Sequence, residues 1–191
     1  MHRAVMDLSI NTVVFLTLSC CLWDADARII NFILTVPNGG PWGDWGFGQT
    51  CHTGHANAFS LKMQKSQGPG DDTAMNGIRL FCTNGEVIES ISGPWGEWTE
   101  IQRCPKGNLK SFSLRVEKKL LAGDDTAANN IEFSCEDGSV LTGHGTEWGE
   151  FGPKSLPCPA GFICGIQTKV ALDKETLDDT GLNDVKFSCC D

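Results

Sequence analysis

Positive charge is scarce in this sequence: 15 lysines and arginines stand against 24 aspartates and glutamates, for a formal net charge of −9. Such a chain lacks the clustered cations that neutralise a phosphate backbone, which argues against nucleic acid as a partner. It also disfavours an anionic membrane surface and leaves neutral glycans and basic proteins as partners. No segment shows a persuasive 3.6-residue apolar period, so helices are not expected. The one long apolar run, Leu8 to Leu22, is interrupted by Asn11, Thr12 and Thr17. It falls short of the roughly twenty residues that cross a bilayer, and no membrane anchor is expected.

Catalytic fingerprints are missing too. The sequence has no Gly-x-Gly-x-x-Gly or Gly-x-x-x-x-Gly-Lys-Ser/Thr cradle for phosphate, no nucleophile elbow and no EF-hand spacing. No Asn-x-Ser/Thr sequon lies beyond residue 27, so N-linked glycosylation is not expected. The chain is read as having no catalytic residue, no metal and no cofactor.

At the amino terminus a basic start (His2, Arg3) leads through the apolar run into Ala25-Asp26-Ala27. This layout predicts a secretory signal peptide over residues 1–27, a single mature domain over 28–191 and a secreted, extracellular protein. Cys20 and Cys21 leave with the signal, and the remaining cysteines are Cys51, Cys82, Cys104, Cys135, Cys158, Cys164, Cys189 and Cys190. An even number in an exported chain points to disulfides and leaves no thiol nucleophile.

The mature chain repeats itself. Trp42, Trp95 and Trp148 recur at about 53 residues, and two cysteine series follow the same step, with one residue inserted before the third copy. The copies, about 37–92, 93–144 and 145–191, open on PWGDWG, PWGEWT and EWGEFG. They close on GDDTAMNGIRLFC, GDDTAANNIEFSC and LDDTGLNDVKFSC.

Within each copy two segments alternate with period two, as half-buried strands do. Phe59, Leu61 and Met63 share a face, as do Phe112, Leu114 and Val116, then Ile166, Thr168 and Val170. Ser60 with Lys62, Ser113 with Arg115, and Gln167 with Lys169 take the other. In the second segment Ile78, Leu80 and Cys82, then Ile131, Phe133 and Cys135, then Val185, Phe187 and Cys189 align, so cysteine rides on the apolar face. Shorter strands are expected at Ile29–Val36, Glu86–Ile91 and Ser139–Leu141. The chain reads as all-β. Repeat logic pairs Cys51 with Cys82, Cys104 with Cys135 and Cys158 with Cys189, leaving Cys164 for Cys190; the swap among the adjacent Cys189 and Cys190 stays open. Three sheets facing one apolar interior are expected, with the strand near residue 30 closing the ring on the last copy.

The segments PNGGPWGDWG (37–46), GDDTAMNGIRLFC, FSLRVE (112–117), GDDTAANN (123–130) and DDTGLNDVKFSCC (178–190) resemble the vitelline membrane outer layer protein family. The resemblance runs from about Val36 to Cys190. It implies a β-prism of three four-stranded, Greek-key-type sheets with pseudo-threefold symmetry, and a secreted component of an egg coat or extracellular matrix. It also implies coat or matrix proteins as partners, and an involvement with N-acetylglucosamine-containing chito-oligosaccharides. One departure is His52-Thr53-Gly54-His55, where the second copy has Pro105-Lys106-Gly107-Asn108.

Three polar or aromatic features compete for a function. The Asp-Asp-Thr triplets offer Asp71, Asp72, Asp124, Asp125, Asp178 and Asp179 for calcium or glycoside chemistry. Threefold repetition instead favours turns whose Asp and Thr side chains satisfy backbone N–H groups, with Asn76, Asn129 and Asn183 entering the next strand. Trp42, Trp45, Trp95, Trp98 and Trp148 are the candidate glycan contacts, since an indole face packs against the C–H surface of a sugar. The competing expectation, favoured by the repetition, is that these rings plug the ends of a small core. His52 and His55 are spaced for a metal, but a solvated loop is the expected reading. The leading expectation is thus a durable coat or matrix protein. A lectin-like module and a weak chito-oligosaccharide glycosyl-transferring enzyme are the alternatives.

Overall fold

The computed structural model describes residues 28–65, 74–117, 127–172 and 180–191. The signal peptide read at 1–27 and the Asp-Asp-Thr triplets, Thr180 excepted, lie outside the described residues. In chain order the strands begin with β1 (Phe32–Leu34), β2 (Asp44–Trp45), β3 (Gln49–Thr50), β4 (Ala56–Met63) and β5 (Met75–Cys82). They continue with β6 (Val87–Glu89), β7 (Glu97–Trp98), β8 (Gln102–Arg103), β9 (Leu109–Val116) and β10 (Ala128–Cys135). The last are β11 (Val140–Thr142), β12 (Glu150–Phe151), β13 (Phe162–Val170) and β14 (Leu182–Cys190). The expected short strands are therefore present within the ranges read from sequence or one residue beyond.

The long strands with alternating patterns pair as three antiparallel hairpins, β4 with β5, β9 with β10 and β13 with β14. Each hairpin gains a short third strand beside its second member: β6, β11 and β1 respectively. β1 closes the ring as expected, with Phe32 opposite Cys189 and Leu34 opposite Phe187.

The fourth position in each sheet comes from a different copy. The turn that opens the first copy (β2, β3) pairs with β13 of the third; that of the second (β7, β8) pairs with β4 of the first; that of the third (β12) pairs with β9 of the second. Every sheet thus draws on two copies, and the boundaries read near 93 and 145 fall between strands of one sheet.

Inside, the alternating faces meet. Phe59 lies opposite Leu80, Phe112 opposite Phe133, and Ile166 opposite Phe187. The four phenylalanines are fully buried. Phe133 touches the other three rings, at centroid distances of 4.7 Å to Phe59, 6.4 Å to Phe112 and 5.1 Å to Phe187. One aromatic layer therefore joins all three sheets, in the tilted and edge-on contacts that aromatic quadrupoles favour.

Of the two cysteine arrangements left open, the structure has Cys158–Cys189 and Cys164–Cys190, beside Cys51–Cys82 and Cys104–Cys135. Bonds that lie within one copy in sequence span two sheets in space. Cys51 follows β3 on the third hairpin's sheet, and its N–H donates to Cys164 O, while Cys82 belongs to the first hairpin's sheet. Cys104 donates to Asn57 O and bonds Cys135 on the next sheet; Cys158 donates to Lys110 O and bonds Cys189 on the sheet after that. Each of these three bonds therefore holds two neighbouring sheets together and does not close a single unit on itself.

Candidate functional site

The three opening turns gather at one end of the molecule. β7 pairs with Lys62 and Met63, β12 with Arg115 and Val116, and β2 with Lys169 and Val170, the last residues of the first long strand in each hairpin. Cys51, Cys104 and Cys158 stand before the starts of the same strands, at the opposite end. The prism therefore has a tryptophan end and a disulfide end.

Each turn is built in the same way. Gly43, Gly96 and Gly149 sit at φ of +81°, +85° and +72°, a region that only glycine enters without strain. A Cβ on any of them would also lie within 2.4 Å of the backbone of Val170, Met63 or Val116. From the neighbouring strand an outward-facing cation then grips the turn. Lys62 Nζ donates to Gly93 O at 2.8 Å and Pro94 O at 3.2 Å, Arg115 Nε to Gly149 O at 3.0 Å, and Lys169 Nζ to Pro41 O at 2.6 Å. Charged donors make these stronger than neutral bonds.

The two aromatic positions of each turn diverge. The second ring is half-buried on the outer face of a sheet beneath a cation. Arg79 lies 3.8 Å over Trp98, Lys186 Nζ 3.9 Å over Trp45, and Arg115 5.5 Å over Phe151. The first ring is exposed: Trp42 by 54%, Trp95 by 53% and Trp148 by 41%. The expectation that the tryptophans plug the core is corrected. Phenylalanine, leucine and isoleucine already fill the interior, and the turns carry the indoles outward over the edge of each sheet. The clamping cations were not singled out from sequence, where Lys62, Arg115 and Lys169 were visible only as recurrent residues on the outward face of each first long strand.

The third hairpin departs from its fellows beside the first turn. Asp184 takes the place of Gly77 and Asn130, and its carboxylate abuts Gly39. Its Oδ1 accepts the Val185 N–H at 2.8 Å, as Asn130 Oδ1 accepts that of Ile131 at 2.8 Å. Burial pushes the Asp184 pKa above the ordinary 3.8, against the opposing pull of the Val185 N–H, Lys169 and Lys186. The folded state then holds this proton more tightly than the unfolded chain, so Asp184 subtracts from stability as pH rises through its ordinary value and its raised one. Asp184→Asn, which keeps the acceptor, is expected to stabilise the fold at pH 7, with the gap closing as pH falls below the ordinary value. Urea melts of both proteins at neutral and acid pH check this, and an equal gap at both would refute it.

Next to it, Asn183 is fully buried, and its Nδ2 donates to Thr180 Oγ1 at 2.7 Å and Gly181 O at 3.2 Å. Asn183 stands at the start of β14, as expected, while residues 173–179 of the turn read before it lie outside the described residues. The two histidines part company. His52 is exposed, with Nδ1 3.7 Å from Glu86, whereas His55 Nε2 meets Cys190 O at 3.1 Å and its ring stands edge-on to Phe162. Burial lowers the His55 pKa. Among the described residues no group of three or more His, Cys, Asp and Glu is placed to hold a metal.

A protein-family model described as vitelline membrane outer layer protein I matches residues 32–191. The chain belongs to this family. A human vitelline membrane outer layer protein 1 homolog is 50% identical over 167 residues, covering 83% of this chain and 82% of the relative. A mouse homolog of the same description is 48% identical over 167 residues, covering 83% of each. Among solved structures, Calystegia sepium agglutinin superposes with a TM-score of 0.55 at 13% identity, over 84% of this chain and 96% of that one. At that identity the likeness concerns the fold, and it places this member of the vitelline membrane outer layer family among β-prisms. No helix among the described residues is long and apolar enough to cross a membrane.

Proposed function

We propose that the protein is a secreted component of an extracellular coat or matrix whose task is to persist there. The observation that carries this reading is that all three seams between sheets are bridged by disulfides. Such bonds are kept in oxidising compartments, and the family description points to an egg-coat layer. A closed arrangement with long hairpins paired on both sides gives a protease little strand edge to unravel. The oxidised protein is expected to survive limited proteolysis far longer than the reduced one. Equal rates of cleavage would sink the proposal.

A second reading, a lectin-like module, is favoured by the exposed Trp42, Trp95 and Trp148 on clamped turns at one end. A β-prism agglutinin among the structural neighbours supports it by analogy of fold. The ligand class is a neutral glycan containing N-acetylglucosamine, laid with its C–H face on an indole. Glycan-array binding, with and without calcium, is expected to saturate and to fall in a Trp95→Ala/Trp148→Ala variant of unchanged melting temperature. An array without a saturable binder would exclude this reading. The glycosyl-transfer alternative rests on Asp-Asp-Thr carboxylates outside the described residues, and no reaction is assigned to them.

A further inference from the structure

Three Asn-Gly pairs stand in the chain: Asn38-Gly39, Asn76-Gly77 and Asn84-Gly85. In such a pair the glycine nitrogen can attack the asparagine side-chain amide with no Cβ to obstruct the approach. The attack needs the side chain free to swing over that nitrogen, and two of the pairs are locked. Asn38 Nδ2 donates to Leu114 O at 2.8 Å, and its Cγ lies 2.3 Å from where a Gly152 Cβ would stand, so the amide is packed against the Gly152 turn. Asn76 is fully buried on β5, and Gly77 is paired with Lys62 in the β4–β5 ladder.

Asn84 and Gly85 are both exposed, in the tight turn from β5 to β6. Gly85 N–H donates to Cys82 O at 3.0 Å, so the attack waits on the opening of a solvent-exposed turn, among the least costly local openings of a fold.

The contacts of the Asn84 amide give the site its consequence. Its Nδ2 donates to Glu86 Oε2 at 2.7 Å and to Thr53 Oγ1 at 3.3 Å, and its Oδ1 accepts the Glu86 N–H at 3.0 Å. Glu86 Oε2 also accepts the His52 N–H at 2.7 Å. The amide therefore joins the β5–β6 turn to the His52–His55 loop, the stretch where the first copy departs from the second. The second copy has an acid at the matching place, Asp137, and a partner suited to it: Ser139 donates its N–H at 2.9 Å and its Oγ–H at 2.6 Å. In the first copy the partner is itself a carboxylate, to which an amide can donate and an acid anion cannot.

We propose that Asn84 is a self-modification site, at which the native protein deamidates and thereby releases its His52–His55 loop. Gly85 N, giving its proton to water or hydroxide, attacks Asn84 Cγ. The new C–N bond closes a succinimide while the Cγ–Nδ2 bond breaks and ammonia leaves. Water then opens the ring at either carbonyl, giving aspartate or isoaspartate. Either product adds a carboxylate beside Glu86 in place of a donor, and like charges at that separation repel. The contacts that tie Glu86 and Thr53 to the turn are then lost. The site is independent of the coat and glycan readings, although persistence gives the conversion time to accumulate.

Incubating the oxidised, folded protein in mildly alkaline buffer and mapping its peptides by mass spectrometry tests the site. Asn84 is expected to convert at least about tenfold faster than Asn38 or Asn76, whose exposure requires much larger parts of the fold to open. In the reduced, urea-unfolded chain the three should convert at similar rates. Asn84→Asp should speed hydrogen exchange of the His52 amide by about threefold or more, and Asn84→Asp/Glu86→Gln should restore most of the protection. Conversion of Asn38 or Asn76 as fast as Asn84 in the folded protein overturns the proposal. So does an Asn84 that stays intact while the unfolded chain reacts, or a His52 amide that Asn84→Asp leaves unmoved.

Discussion

Phe133→Ala is expected to cost about 3 to 5 kcal/mol, the range for truncating a large buried aromatic side chain. Its ring is fully buried and touches Phe59, Phe112 and Phe187, which come from all three sheets. The void left behind would open on the axis, where backbone paired into three separate sheets is poorly placed to collapse inward. Against a total stability of about 5 to 15 kcal/mol, the loss is at least about a fifth of what holds the domain together. Leu80 occupies the corresponding place in the first hairpin, so Phe133→Leu should lose much less. Equilibrium urea unfolding of the oxidised proteins measures both. A Phe133→Ala loss under about 1 kcal/mol would mean the aromatic layer is not the common core described above.

Joint replacement of Cys104 and Cys135 by alanine comes next, at about 3 to 4 kcal/mol for closing a loop of this length in the chain-entropy model. The bond spans 31 residues, as do Cys51–Cys82 and Cys158–Cys189. Removing any one of the three pairs is expected to cost a similar amount, because each bridges one seam of the same ring. Comparing the three double variants by urea unfolding checks the equivalence. If the Cys104/Cys135 variant alone were unaffected, that seam would be held by packing instead.

Much of this fold was legible in the sequence for a definite reason. Period-two alternation marks strands, and cysteines that share the apolar face mark where those strands are stapled. Segments such as FSLRVE therefore announced both their strand and its buried side. The exchange of turns between copies was not legible, because three similar turns fit three similar sheets and similarity alone cannot assign one to another. Tryptophan exposure was hidden by chemistry of the same kind. An indole repeated at fixed spacing reads as core, and only the positions of Arg79 and Lys186 show that Trp98 and Trp45 are satisfied on an outer face. Asp184 gave no signal as one acid among many, since its raised pKa comes from burial against the glycine turn.

The fourth disulfide can be understood from what is missing beside it. In the first two sheets a tight turn joins the second long strand to the third, with Gly85 and Gly138 at φ of +92° and +86°. In the remaining sheet β14 and β1 are neighbours in space but stand at opposite ends of the described chain, and Cys164–Cys190 pins the strand end that no turn holds. Arg28 and Asn31 reach across the gap, to Asp191 O at 3.4 Å and Asp191 Oδ1 at 2.9 Å. The ring thus has three equivalent turn positions, and side chains span this one where a glycine turn spans the other two. A circular permutant that bridges Asp191 to Arg28 and opens instead between Cys82 and Val87 should fold to the same prism, with the need for a fourth bond moved to the newly opened sheet.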